Sequence, residues 1–421
     1  VVCPKHPAFQ ANFAMHMPQN RLPVFFILIT LVIDAMGIGL IMPVMPDLLR
    51  EVAGTDLAGA AIWGGVMTFS FAVMQFLFGP TLGGLSDRFG RRPVLLVSLF
   101  VMAIDYLVMG LAGVIWLILI ARIVGGVTAA TQSTAYAYIA DISSPSEKAA
   151  NFGLAGAAFG VGFVLGPLIG GVLGGFGTHA PFYAAALLAL ANMIFGYFVV
   201  KETVTDDMKR PFDWRRSNPF GAITQMRKLP GVIRLIILIF FYEFAFIVYP
   251  VVWAYFTTAR FGWESHMIGM SLASFGVSMF VVQGFLIRPL MRILDERTLV
   301  LLGLGFSVMS FAIMAFLTNG MWALILTPIS ALGAVVNPAL QSLMSQSVDR
   351  NAQGELQGVS SSARALAMIL SPLVMTQIFA YFTASDTPFY LPGAPFLLSL
   401  ALMTTCIIVF LPYRPSKIAQ S

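Results

Sequence analysis

The sequence predicts an all-α membrane protein of twelve transmembrane helices, arranged as two pseudo-symmetric six-helix bundles. Three observations predict it. Of the 421 residues, 58% are hydrophobic and only 10% are charged, with a mean hydropathy of +0.86. A water-soluble domain of this size cannot hide so much apolar surface. Apolar stretches of the roughly 20 residues needed to cross the hydrocarbon recur twelve times. The two sets of six also echo each other across a polar centre.

The first six spans are expected near residues 22–45, 58–84, 93–112, 113–140, 150–174 and 181–200. The second six fall near 232–258, 266–290, 297–317, 319–345, 353–382 and 392–412. The chain thus divides into an N-terminal tail (1–20), a first bundle (21–200), a linker (201–231), a second bundle (232–412) and a short tail (413–421). The echo lies in residues 152–168, which align without gaps with 357–373. Gly153 falls on Gly358 and Pro167 on Pro372, both offset by 205 residues. Gln75 and Gln283 hold similar places in spans two and eight.

Basic residues set the expected orientation. Lys201, Lys209, Arg210, Arg215, Arg216, Arg227, Lys228 and Arg234 crowd the linker. Arg88, Arg91 and Arg92 lie between spans two and three, and Arg288, Arg292 and Arg297 between spans eight and nine. Loops on the other side carry few, with Arg50 and Arg260 the exceptions. Basic loops stay in the cytoplasm, so both termini and the linker are expected there. Residues 1–20 lack the apolar run of a signal peptide and read as a tail, part of it ahead of a start at Met15 or Met17.

Several classes are disfavoured. The pI of about 9.3 reflects topology, and no nucleic-acid partner is expected. Cys3 and Cys406 match no metal or redox spacing. Only four histidines occur: His6 and His16 in the tail, His179 and His266 in outer loops. No Ser/His/Asp set, metal cluster or nucleotide loop is visible, so no enzyme, metal site or bound cofactor is expected.

The run GLAGAAFGVGFVLGPLIGG in span five holds Gly153, Gly162, Gly166, Pro167, Gly170 and Gly171. Glycines at this density leave a bare groove that lets helix backbones approach. Pro167 removes a backbone donor and permits a bend. The expectation is that a Leu at Gly162 or Gly166 blocks movement by filling this groove. The spacing resembles the antiporter motif of the drug/proton exporters in the major facilitator superfamily. Between spans two and three, Gly83, Asp87, Arg88, Gly90, Arg91 and Arg92 resemble that superfamily's G-x-x-x-D-R-x-G-R-R signature. A carboxylate at a helix end, a glycine turn and clustered Arg suit a charge latch that holds the two halves together in one state. The second copy, Arg292, Asp295, Glu296 and Arg297, lacks the glycine turn.

Ionisable groups inside a bilayer are costly and mark function by default. Asp34, Asp105, Arg122, Glu243 and Arg364 fall in spans one, three, four, seven and eleven. A carboxylate that exchanges an apolar setting for a cationic partner releases its proton, the minimal chemistry of proton coupling. Asp34 is the first choice for this role and Glu243 the second. Their structural alternatives are ion pairs, Asp34 with Arg122 and Glu243 with Arg364. Arg122 followed by Gly125 and Gly126 resembles the family's helix-four motif, which implies a part for Arg122 in proton transfer. Asp105 reads as structural or as an entry-path charge. Candidate substrate-wall residues are Gln75, Gln283, Phe71, Phe76, Phe241, Tyr242, Tyr249, Trp253 and Met279, an amide, aromatic and thioether set suited to an amphiphile.

Over nearly the whole chain after residue 20, the sequence is similar to tetracycline/proton antiporters. The dense stretches include FFILITLVIDAMGIGLIMPVMP, SDRFGRRPVLLVSL, GFVLGPLIGGVLGGFGTHAPFYAAA and NPALQSLMSQSVD. The resemblance implies export of a magnesium–tetracycline chelate in exchange for a proton, with roles for Asp34, Gln75, Arg88, Asp105 and Gln283. It implies a multi-pass protein of the bacterial inner membrane, driven by the proton gradient and working as a monomer. The chain departs from the pattern where the family carries His and Asp, which read Met279 and Ser307 here. It also has Glu243 and Arg364 where uncharged residues are expected. A proton-driven uptake symporter, a membrane enzyme and an assembly factor are the other readings, the first disfavoured by the span-five glycines.

Overall fold

The computed structural model describes residues 22–144, 146–205, 232–349 and 352–413. Expectations for residues 1–20 and 206–231 lie outside the described residues. No strand occurs among those described, as the apolar composition requires: in lipid a helix satisfies its own backbone donors and acceptors. The first half comprises α1 (Leu22–Ile41), α2 (Leu57–Phe89), α3 (Arg91–Leu111), α4 (Ile115–Ile142), α5 (Lys148–Gly174) and α6 (Ala180–Val199). The second comprises α7 (Ile233–Phe261), α8 (Ser265–Ile293), α9 (Glu296–Phe316), α10 (Gly320–Gln346), α11 (Gln353–Thr383) and α12 (Ala394–Phe410). Eleven of these are long and apolar enough to cross a membrane, and the 17-residue α12 is the short one. The chain is a multi-pass membrane protein.

Three elements differ from expectation. The first apolar stretch is not one span, because α1 stops at Ile41 and a separate helix, Met45–Ala53, follows. Its Leu48 and Leu49 are buried while Asp47, Arg50 and Glu51 are not, so it lies across the end of the bundle as an amphipathic segment. Gly54 ends it at φ 61°. Second, α2 runs on to Phe89, so Gly83, Asp87 and Arg88 are helical, and only Gly90 makes the turn. Third, several helices are interrupted inside the span: α4 near Thr128–Ala130, α7 at Ile247, α8 by a π-turn at Val282–Leu286, and α10 by a tight turn at Ala331–Val335. Irregular backbone at membrane depth is tolerated where protein or a cavity takes up the freed groups. Tyr242 does so, its hydroxyl donating to the Gly333 carbonyl at 3.1 Å.

The two halves meet along α5 with α8 and along α2 with α11. The close approaches lie toward the end remote from the linker. A Cβ on Gly171 would stand 2.7 Å from the Ser265 carbonyl oxygen, and one on Gly276 would stand 2.7 Å from Val164. A Cβ on Gly65 would stand 3.1 Å from the Pro372 carbonyl. Toward the linker end, Gly153, Gly156 and Gly160 face open space. There the closing segments of α4 and α10 make their principal contacts within their own halves. A cleft of about 300 Å³ opens between α2 and α11, lined by Gln75, Phe76, Pro80, Ser361, Ser362 and Met368.

The span-five glycines therefore split into two groups, which corrects their expected joint role. Gly162, Gly166 and Gly170 press on the α1 backbone inside the first half: a Cβ would collide with the Val32, Met36 and Leu40 carbonyl oxygens. Gly171 faces α8 across the halves, and Gly153 touches nothing within 4 Å. Packing of Gly162 and Gly166 is thus fixed within one bundle, and a larger side chain there acts on that bundle's assembly. Pro167 shares both contacts, its ring beside Gly39 and its carbonyl beside Gly269.

Candidate functional site

Asp34 sits midway along α1 and is 6% exposed. Its Oδ1 is buried and accepts no hydrogen bond. Gly37, three residues on and therefore on the same helix face, lies against Tyr106, with a Cβ there 3.1 Å from the tyrosine oxygen. Asp34 thus looks toward α3. The expected alternative partner, Arg122, is engaged elsewhere. Its guanidinium grips Asp105 on two sides, with Nε donating to Oδ1 at 3.2 Å and Nη2 paired to Oδ2. Gly125 makes room for this, since a Cβ there would come 2.9 Å from Asp105 Oδ2. Phe71 is no cleft wall: its ring lies 5.0 Å beneath the Arg122 guanidinium carbon, where a cation–π contact adds to the pair. The interior of the first half therefore holds a satisfied Asp105–Arg122 pair and, among the described residues, an acid, Asp34, whose buried Oδ1 has no hydrogen-bond partner.

The second half holds another polar cluster. Arg364 Nε lies 3.4 Å from Glu243 Oε1, joining α11 to α7. Asn337 on α10 donates to the same Oε1 at 3.0 Å and accepts from Arg364 Nη2 at 2.7 Å. Gln341 accepts from that Nη2 at 3.4 Å. Neither amide was singled out in the sequence. Two charges on different spans suggest a pair, but nothing in a single sequence says which third helix inserts between them.

The cleft wall differs from expectation as well. Gln75 and Phe76 line it. Gln283 is exposed within the π-turn of α8, and Met279 is half-buried against the second-half core. Phe241 stacks edge-on with Phe240 at 5.5 Å. Tyr242, Tyr249 and Trp253 are buried in the second bundle. Tyr249 meets Ser310 at 3.1 Å, and Trp253 donates to Ser271 at 2.8 Å. Their polar tips are committed inside the bundle, and none of the three lines the cleft described above. Ser307 is buried too, its hydroxyl given to the Gly303 carbonyl at 3.0 Å.

At the linker end, the α2–α3 junction is tied to its own half among the described residues. Arg91 pairs with Asp87 at 2.5 Å and with Asp141 at 3.1 Å, while its backbone N–H donates to Glu202 at 2.8 Å. Arg92 donates to the Tyr197 carbonyl at 2.7 Å, and Arg88 lies over the Phe89 ring at 5.1 Å. Among the described residues, the partners of this cluster all lie in its own half. Asp141 and Glu202, the acids that hold it, were not foreseen. At an offset of 205 residues the second half pairs an acid with an amide where the first pairs a base with an acid. Glu296 replaces Arg91, Gln346 replaces Asp141, and Gln346 donates to Glu296 at 2.9 Å. Gly90 turns at φ 108°, and a Cβ there would collide with Glu202. Gly90→Ala is expected to cost about 1–3 kcal/mol, read as a lower melting temperature of purified protein. An unchanged melting temperature contradicts the strain.

The remote end carries a smaller network. His179, the residue before α6, sets Nδ1 2.8 Å from the Gly110 carbonyl and Nε2 3.1 Å from Glu51. His266, expected in a loop, begins the first turn of α8 and lies 3.7 Å from Glu264. Burial pushes the Asp47 carboxyl up, against the pull of Arg50 and a hydrogen bond with Ser265. The folded chain thus keeps this proton to higher pH than the unfolded chain. Its favourable contribution is full below the ordinary carboxylate range and fades as pH rises through the raised value. Asp47→Asn is expected to remove this loss, so that melting temperature gains more than in wild type as pH rises through the acid range, and an unaltered profile contradicts this.

Comparison with known proteins places this geometry. The chain matches the family described as Major Facilitator Superfamily over residues 27–372, with a second match over 235–420. It is 40% identical over 354 residues to tetracycline resistance protein class C of Escherichia coli, covering 84% of this chain and 89% of that protein. It is 36% identical over 405 residues to class D of Salmonella ordonez, covering 96% and 100%. Among solved structures it shares its fold with the nucleoside transporter NupG (TM-score 0.74, 12% identity, 92% of this chain and 98% of that one). It does so also with a D-xylose–proton symporter (TM-score 0.72, 17% identity, 95% and 100%). The chain belongs to the major facilitator superfamily, whose members are transporters rather than enzymes.

Proposed function

We propose that this chain exports a drug-like amphiphile of the tetracycline type from the cytoplasm in exchange for protons. The observation that carries the reading is Asp34, a buried acid without a partner beside the committed Asp105–Arg122 pair. Resemblance to proteins named for tetracycline resistance supports the substrate type. The arginines at the α2–α3 and α8–α9 junctions mark the linker end as cytoplasmic, so the conformation here is inward-open. The membrane is the bacterial inner membrane, and a single chain holds both halves of the cleft.

Coupling follows from the charges. An uncompensated carboxylate in an apolar interior is least costly as the neutral acid. With the cleft open to the cytoplasm, Asp34 gives up its proton as substrate enters. When the halves tilt, water at the outer face returns the proton and substrate leaves. Arg122 and Asp105 fix the electrostatic frame in which Asp34 changes charge, and Glu243 supplies a second exchangeable proton opposite Arg364. No bound cofactor is needed, because the proton gradient supplies the driving force.

Inverted membrane vesicles from an efflux-deficient host test this. On respiration, vesicles carrying the protein are expected to accumulate tetracycline, and a protonophore abolishes the accumulation. Vesicles that take up no more than protein-free controls, or that expel the drug on energisation, contradict the reading.

A further inference from the structure

A second recess, a groove of about 430 Å³, opens between α8 and α10. It forms where both helices are irregular. The π-turn at Val282–Leu286 widens α8, while in α10 Pro328 lacks a helix donor and the tight turn at Ala331–Val335 follows it. Val281, Phe285 and Leu286 form one wall, and Pro328, Ile329 and Leu332 the other. The lining hydroxyl of Ser278 is donated to the Ser274 carbonyl at 2.9 Å. The groove therefore offers hydrocarbon and no unspent side-chain polar group. Its linker end is charged. Arg288 and Arg292 follow Phe285 by three and seven positions, hence on the same helix face. They stand about 5 and 10 Å further along the axis. Both are exposed, and among the described residues neither makes a hydrogen bond or an ion pair. By contrast, Arg91, Arg92 and Arg297 at the same end are bonded to acids or carbonyls.

We propose that this groove binds an anionic phospholipid, with one acyl chain between α8 and α10 and the phosphate on Arg288 and Arg292. The two ends of the site decide the occupant together. Apolar walls with their hydroxyl spent accept a lipid tail, which reaches them sideways from the bilayer. Two unpaired guanidiniums at the mouth suit a phosphate, which Arg takes bidentately. A zwitterionic head brings its own cation and gains less. Each arginine near the membrane surface favours an anionic lipid about fivefold. The bound chain fills the gap that the irregular turns leave and steadies α8, the helix against which α5 of the first half packs.

Native mass spectrometry of the purified full chain, mixed in detergent with equal amounts of dioleoyl phosphatidylglycerol and dioleoyl phosphatidylcholine, tests this. The two lipids share their tails and differ in the head. The first lipid held is expected to be phosphatidylglycerol, by about twentyfold. R288Q or R292Q is expected to cut that preference about fivefold, and the double variant to abolish it. R288K keeps the charge and is expected to keep most of the preference. I329W fills the groove from a partly exposed wall position and is expected to expel the lipid whatever its head, with the melting temperature unchanged. K201Q removes a cation that follows α6 in the first half and is expected to leave the preference intact. Glycerol phosphate, the head without tails, is expected to displace nothing. Equal retention of both lipids by the wild type, retention of neither, or a preference that survives R288Q/R292Q overturns the proposal. So does a loss in K201Q as large as in R288Q, or displacement by glycerol phosphate.

Discussion

Asp34→Asn is expected to reduce proton-driven transport to that of protein-free vesicles while the protein still folds. The amide fills almost the same volume, so helix packing around α1 is kept. It cannot gain or lose a proton, so the buried acid of α1 stops changing charge. Removing a buried carboxyl without a hydrogen-bond partner relieves a desolvation cost rather than adding one. The variant is therefore expected to melt no lower than wild type. Undiminished coupling in vesicles contradicts the assignment, and a large fall in melting temperature shows that Asp34 is structural instead.

Gly171→Leu and Gly166→Leu are expected to fail in different ways, although both lie in one glycine run. At Gly166 a Cβ would stand 2.6 Å from the Met36 carbonyl and 2.8 Å from Gly39 Cα, both on α1 of the same half. Leu there forces α1 and α5 apart. Overpacking of this kind costs roughly 1–3 kcal/mol or more, seen as poor yield and a lower melting temperature. At Gly171 the neighbours are Ser265 and Gly269 on α8. Leu there wedges the contact between the halves at the end remote from the linker while each half stays intact, so the protein is expected to fold but to lose the conformation described here. With Ser361→Cys as a reporter in the cleft, the Gly171→Leu background is expected to protect the thiol from a reagent on the cytoplasmic side. Normal transport by Gly171→Leu, or unchanged labelling, contradicts the role given to this contact.

Much of the fold was legible because lipid enforces it. Each of the twelve apolar runs had to become a helix, and the 205-residue echo told which helices correspond. The breaks inside α7, α8 and α10 were not legible, since the residues that compensate them, such as Tyr242 at Gly333, lie about ninety positions away. Ionisable residues in apolar runs gave the charged centres directly: Asp34, Asp105, Arg122, Glu243 and Arg364 all lie inside spans. Pairing was harder. Arg122 had two acids within reach by sequence, and Gly125 beside Asp105 decided the choice. Aromatic residues misled most, because a buried Tyr or Trp with a satisfied tip, such as Trp253 on Ser271, reads the same in sequence as one that faces substrate.

The exchange itself is most directly measured with protein reconstituted in sealed liposomes that enclose a pH-sensitive dye, under an imposed pH gradient. Addition of tetracycline to the wild type is expected to start a proton flux opposite in direction to drug movement, absent from liposomes bearing Asp34→Asn. Drug movement with no accompanying proton flux, or no movement of either, would contradict a carrier in which a buried acid trades its proton for cargo.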